Sequence, residues 1–219
     1  DPGQWPSGTA LSRRLDRLPA PVVEVLLHAV IVAGRWSATE LDDSEALSTL
    51  VRDGLLRPTP DGGWIVPHAS IRRAVLERTA GPQIRRAHLQ EAQRSHTSSV
   101  KRAHHWEVAG EIGRAREDYE QIGLSRFSAR EYAAALPCLR DAVRLDAHNG
   151  DVEAALCAAL LHTGHAQEAW DLIERLPEMG LPPGGRALLR GQIHLARAHA
   201  AEALTAMDEA LIELPHSAD

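Results

Sequence analysis

Aromatic residues are scarce in these 219 residues: one Phe, two Tyr and five Trp, against an abundance of Ala and Leu. A β-rich core draws on aromatic and β-branched side chains, so their shortage argues against one. Small and unbranched side chains let helices approach closely, which points to an all-α chain. Cysteine is limited to Cys138 and Cys157, both inside apolar helical patterns, so they read as buried free thiols. Two cysteines alone make no metal site, and nothing in their number asks for an oxidising compartment. No apolar run approaches the roughly 20 residues that span a bilayer. The nearest, VVEVLLHAVIVA at 22–33, is interrupted by Glu24. No signal peptide is visible, so a cytoplasmic location is expected, and a chain that opens on Asp1 instead of Met reads as a piece of something longer.

Lysine occurs once, as Lys101 in SSVKRAHH. A phosphate-binding GxxxxGK[ST] loop is therefore missing, and with it any ATPase chemistry of this chain's own. No nucleophile-elbow motif accompanies the serines and histidines. Carboxylate pairs such as Asp42-Asp43 and Glu117-Asp118 fall at expected helix starts or exposed faces, where they suit the helix dipole. His104-His105, His162 with His165, and His194 with His199 tempt a metal reading, but neighbours on a helix point about 100° apart and no carboxylate or thiolate converges on them. Neither an enzyme nor a metal centre is expected.

The net charge of −6 is uneven. Residues 1–71 carry 6 basic and 9 acidic groups, residues 72–102 carry 8 and 2, and residues 103–219 carry 10 and 19. The middle belt, with Arg72, Arg73, Arg85, Arg86, Lys101 and Arg102, is a candidate basic surface for phosphate or an acidic protein. Its plainer reading is a set of solvated helix faces.

Along the chain, residues 1–10 read as a tail. Helical periodicity begins near Leu11 and strengthens through Val22, Val25, Leu26, Ala29 and Val30, with Gly34 as a stop. Ser37 or Thr39 is a candidate cap for a short second helix. Asp42, Asp43 or Ser44 is one for a third, which turns Leu47, Leu50 and Val51 inward and ends at Gly54. Leu55-Leu56 and Trp64-Ile65-Val66 then flank a Pro-Asp-Gly-Gly turn, a β-hairpin signal in which Gly62 and Gly63 can take positive φ. Three helices and a hairpin is the order of a winged helix. A helix over 69–79 follows, and helices alone are predicted from residue 83 onward. The expected domains are a winged-helix-like unit at 11–81 and a helical-repeat domain at 82–219.

The most specific signal is a repeat. REYAAALPCLRDAVRLD (130–146), GHAQEAWDLIERLPEMG (164–180) and AHAAEALTAMDEALIEL (198–214) superimpose. Ala135, Ala169 and Ala203 are spaced by 34 residues. Twelve residues before them stand the small Gly123, Cys157 and Gly191; four residues after them stand the large Leu139, Ile173 and Met207. Small residues meeting at a close helix crossing, with a large one filling the gap to the next unit, describe stacked hairpins. Over about residues 115–216 this resembles the tetratricopeptide repeat, down to a helix-ending Pro215. The resemblance implies an α-solenoid whose concave face takes a protein, a peptide or a small inducer. Met207 and Leu211 of the last hairpin are expected to be partly uncovered.

A DNA-reading third helix needs cations. Here Asp42, Asp43, Glu45 and Asp53 face Arg52 alone, so direct DNA binding is not expected. The run from LLHAVIVAG through LVRDGLLRP to DGGWIVPHASIRRAV, followed by a helical array, resembles the arm of bacterial signal-transduction ATPases with numerous domains, including maltose-operon-activator-like regulators. That resemblance implies a regulatory module whose winged helix packs on a nucleotide-binding domain upstream, with ADP or ATP bound there and no cofactor in this chain. His68 occupies the place of a histidine that senses the β-phosphate of ADP in such relatives, although Pro67 and Ala69 depart from their Met-His-Asp-like pattern. The plain alternative is packing at the hairpin. Two other readings of the whole chain stay open: a stand-alone winged-helix DNA-binding regulator dimerising through its repeats, and a peptide-binding scaffold.

Overall fold

The structure, a computed structural model, describes residues 8–32, 36–37, 44–60, 62–94, 99–145, 149–175, 181 and 184–213. Among the described residues the regular structure is helical apart from a small sheet, and the chain forms two units, residues 1–94 and 95–219.

The first unit runs α1 (Gly8–Leu15), α2 (Ala20–Val32), β1 (Trp36–Ser37), α3 (Ser44–Arg52), β2 (Arg57–Pro58), β3 (Gly63–Ile65), α4 (Ala69–Arg78) and α5 (Gly81–Arg94). Its sheet is antiparallel in the order β1-β3-β2, with Trp36 opposite Trp64 and Arg57 opposite Ile65. The unit thus runs helices, then a hairpin with a short extra strand on it. The short second helix expected after Ser37 lies outside the described residues. The strand β1 is not foreseen by the sequence reading.

The hairpin also begins later than expected. Leu55 and Leu56 are not strand residues: both bond back to the Leu50 carbonyl, at 2.8 and 3.1 Å, and fold into the core as α3 ends. Such a bond from beyond a helix end satisfies carbonyls the helix leaves open. At the hairpin turn Gly62 has φ +79°, Thr59 N–H bonds the Gly63 carbonyl at 2.8 Å, and Gly63 itself belongs to β3.

Helix α2 is the centre of the unit. Leu26, Leu27, His28, Ala29, Val30 and Ile31 are buried in succession, more than a single amphipathic stripe, because α3, α4 and α5 all pack around it. Leu50, Leu55 and Ile71 complete the core at 0% exposure. Helix α5 carries a correction to the expected boundary at 81/82. Arg94 bonds His28 Nε2 at 2.6 Å and Glu91 lies 3.4 Å from the same nitrogen, so this helix closes the first unit and the division falls after Arg94.

The second unit runs α6 (Val100–Ala109), α7 (Ile112–Ser128), α8 (Tyr132–Leu145), α9 (Gly150–His162), α10 (Ala166–Arg175), α11 (Gly185–Ala196) and α12 (Ala200–Glu213). Ser99 caps α6 by accepting from Arg102 N–H, and Asn149 caps α9. Three hairpins, α7/α8, α9/α10 and α11/α12, form the repeat. The first helices α7, α9 and α11 pack on one another in series, while the second helices stand further apart. Pro215 lies outside the described residues.

Within the hairpins the period is carried by the backbone as well as by side chains. Arg130, Gly164 and Ala198, again 34 residues apart, have φ of 61°, 82° and 62°. At each turn the following N–H reaches back to the same carbonyl of the first helix: Glu131 to Arg126, His165 to Leu160 and His199 to His194, at 2.8–2.9 Å. The sequence signals only the glycine of this set. An Ala or Arg in the left-handed region costs about 1 kcal/mol.

His105, buried on α6, supplies a pH-dependent term. Burial lowers its pKa below 6.5, with His104 and Lys101 adding to the effect. A depressed imidazole means the folded state prefers the neutral ring, so this contribution is complete above the unfolded pKa and disappears as pH falls through the folded one. The free energy of unfolding should therefore fall as the pH drops below 6.5, and His105→Leu should flatten that slope. Urea titrations between neutral pH and pH 5 check this; an unchanged slope in the variant assigns the dependence elsewhere.

Among the described residues, no helix is long and apolar enough to cross a membrane.

Candidate interaction groove

The small positions of the repeat lie at helix crossings. A Cβ on Gly123 would stand 2.7 Å from Leu139 Cδ2, and one on Gly191 would stand 2.9 Å from Met207 Cγ. Cys157, Ala135, Ala169, Leu139 and Ile173 are each 0% exposed, and Ala203 is buried too. These contacts hold α7 against α8 and α11 against α12, and they fix where the second helices sit. Burial raises the pKa of the Cys157 thiol to about 12 and that of Cys138 above its usual value, so both stay protonated and chemically quiet.

Because the second helices diverge, α8 and α10 leave a groove of about 410 Å³ with α9 as its floor. Leu156 and Leu160 of α9, Val143 of α8 and Leu172 of α10 form the apolar part; Arg140, Arg144, Arg175 and Glu168 form the rim. The groove lies between the second helices of the first two hairpins.

The rim is ordered by ion pairs. Arg140 reaches from α8 to α10 and donates two bonds to Glu168, at 2.8 and 2.7 Å. That fork-to-fork pairing is the main reason the Glu168 carboxyl lies below its ordinary pKa. Arg144 turns the other way. It bonds Asp141 beside it and Glu107 of α6, the latter at 2.8 Å, and these two bonds raise its pKa. Glu107 also accepts from the Tyr119 hydroxyl at 3.4 Å, and burial pushes the Tyr119 pKa up. Arg175 donates to its own helix at the Asp171 carbonyl, 3.3 Å away.

A second apolar feature is the outer face of the last hairpin. Leu188, Leu195, Leu204, Leu211 and Ile212 are exposed, from 46% to 78%. Of the two residues expected to be uncovered there, Leu211 is exposed and Met207 is half-buried against Gly191.

The remaining candidates scatter. His68 is exposed, in extended backbone just before α4, and makes no side-chain cap there. The basic belt is split between the two units. Arg73, Arg85 and Arg86 are exposed on α4 and α5, Arg72 is half-buried, and Arg73 pairs with Glu77 at 3.8 Å. In the second unit Lys101 is exposed, but Arg102 is not a surface cation. It forms a bidentate pair with the buried Asp118, its Nε 2.7 Å from Asp118 Oδ2, and the hydrogen bond raises the pKa of Arg102. The histidines serve packing: His162 stacks on Tyr132 at 4.1 Å and His194 meets Trp170 edge-on at 4.9 Å. No cluster of three or more potential metal ligands occurs among the described residues.

The fold defines a helical-repeat protein, with a helical unit bearing a small sheet earlier in the chain and a groove between the second helices of its first two hairpins. No family model and no curated protein matches the sequence. Among solved structures, "MamA MSR-1 C2" is similar over 60% of this chain and 86% of its own length, at 19% identity and a TM-score of 0.39. A signal transduction ATPase with numerous domains carrying a tetratricopeptide repeat sensor, from Pyrococcus horikoshii, is similar over 97% of this chain at 11% identity and a TM-score of 0.40. The chain spans 41% of that protein's length. At these scores neither likeness carries a functional argument.

Proposed function

We propose that the chain is the interaction-and-sensor arm of a larger regulator, in which the repeat unit captures a partner in the groove between α8 and α10. The observation that carries this is the groove itself: an apolar bed from three helices, ringed by charged side chains of which Arg140, Glu168 and Arg144 are held in ion pairs. Recognition sites combine an apolar bed with a few fixed polar groups in this way. Val143 is half-buried and on the wall, so Val143→Asp places a charge in the groove without opening the core. Binding of amphipathic peptides should fall by about tenfold, the loss of one buried apolar contact. Fluorescence anisotropy at unchanged thermal stability checks this; undiminished binding moves the site elsewhere.

In the wider reading, the winged-helix-like unit docks on a nucleotide-binding domain, and His68 reaches the β-phosphate of ADP bound there. What supports this is the exposure of His68 at the start of α4. A partner bound to the repeats would shift the docking equilibrium through its different affinity for the docked and free states. Sequencing the reading frame upstream of Asp1 tests the arrangement. A GxxxxGK[ST] loop supports it, and a start codon close to Asp1 removes the nucleotide role of His68. The DNA-binding alternative predicts tight, salt-sensitive gel shifts with this chain; the sequence through α3, with Asp42, Asp43, Glu45 and Asp53 against Arg52, predicts none.

A further inference from the structure

Resting on the reading of the groove as the interaction site, we infer that its occupant is an acidic amphipathic peptide segment of another protein. Apolar side chains of that segment lie on Val143, Leu156, Leu160 and Leu172, and its carboxylates meet Arg175 and Arg140.

Charge decides the sign. Residues 103–219 hold 19 acidic and 10 basic groups, yet the groove is lined by three arginines and one glutamate; Arg144 is held by Asp141 and Glu107, which leaves Arg140 and Arg175 to decide the sign. The one lining carboxylate, Glu168, is already engaged by both nitrogens of the Arg140 fork. A basic segment would have to break that pair to find a counter-charge, whereas an acidic one meets Arg175 directly. Among the described residues Arg175 forms no salt bridge; it bonds the Asp171 carbonyl and adds its field to Glu168 from a distance.

The Arg140–Glu168 pair adds an exchangeable element. It bridges α8 and α10 at the rim, and its two side chains are 42% and 43% exposed. An exposed pair of this kind is weakly held. A ligand carboxylate can take the place of Glu168 on the same guanidinium fork, while Glu168 moves into water. Size and shape favour a peptide segment over a small amphiphile. A groove of about 410 Å³ holds a few side chains and lies open to solvent along one side, so an acyl chain would remain half wetted.

The test uses the complete chain and two short fluorescein-labelled helical peptides, one of Leu and Glu and one of Leu and Lys. The Leu/Glu peptide should bind, Arg175→Glu should weaken it by about tenfold or more, and Glu168→Gln should tighten it severalfold by releasing Arg140. Both substitutions are on the rim, and circular dichroism melting confirms the fold. Preference for the Leu/Lys peptide, with that binding lost in Val143→Asp, overturns the acidic partner and leaves the groove as the interaction site. Binding of neither peptide overturns both readings. Leu/Glu binding indifferent to Arg175→Glu, or weakened by Glu168→Gln, overturns the assignment of these residues. Decanoate displacing the peptide and binding more tightly than it assigns the groove to a small carboxylate amphiphile and overturns the peptide.

Discussion

Gly184→Ala is expected to lower the stability of the repeat unit by about 3 kcal/mol, the upper range for overpacking a well-filled contact. Two effects add. Gly184 immediately precedes α11 with φ of +75°, a conformation that costs an alanine about 1 kcal/mol. A Cβ there would also stand 2.6 Å from the Ala210 carbonyl oxygen on α12. That neighbour is helix backbone, not the end of a flexible side chain, so α12 as a whole must shift. The shift would also disturb the bond from Gly184 N–H to Glu213, now 3.1 Å. Gly164→Ala is the control, because its φ is +82° but nothing lies within 4 Å of the added carbon. It should cost about 1 kcal/mol, the conformational part alone. Urea unfolding of both variants, with hydrogen exchange on α11 and α12, measures the difference. Equal losses would remove the contact between Gly184 and α12 from the account.

Arg102→Met should be as damaging, at about 3 kcal/mol, because it leaves a carboxylate buried without its partner. The side chains of Arg102 and Asp118 are 17% and 7% exposed, and their pairing ties the start of α6 to α7. The double change Arg102→Met with Asp118→Leu should recover most of that loss, since a buried ion pair is often no more stable than well-packed apolar groups. A double-mutant cycle in urea therefore predicts a strong coupling between the two positions. A loss below about 1 kcal/mol for Arg102→Met, the ordinary worth of an exposed pair, would return Arg102 to the solvated surface.

Arg102 also shows where the sequence stops being informative. By composition it belongs with Arg72, Arg73, Arg85, Arg86 and Lys101, and only the fold separates it from them. Its partner is 16 residues away on the next helix, a spacing that no local rule flags. The groove has the same origin: Arg140 and Glu168 are 28 residues apart, and nothing along the chain announces that they bridge. What could be read was what repeats. The 34-residue step of small and large residues located the hairpins because close helix crossings tolerate few side chains. The first unit was legible in order but not in detail. β1 has two residues, too few for alternation to register, and α2 is surrounded instead of one-sided, which blurs its period. The place of α5 depends on contacts of Arg94 and Glu91 with His28, 66 residues away from Arg94, that only three dimensions reveal.

The turns at Arg130, Gly164 and Ala198 have a consequence for the history of such chains. Side chains at that position range from a guanidinium to a hydrogen atom, while the torsion and the bond that follows it stay the same. Geometry is thus inherited more strictly than chemistry at these corners, and two of the three hold residues poorly suited to it. Kinship between hairpins that have lost every shared letter should remain detectable as a rhythm of left-handed torsions, and Arg130 and Ala198 are the corners where glycine would relieve the fold.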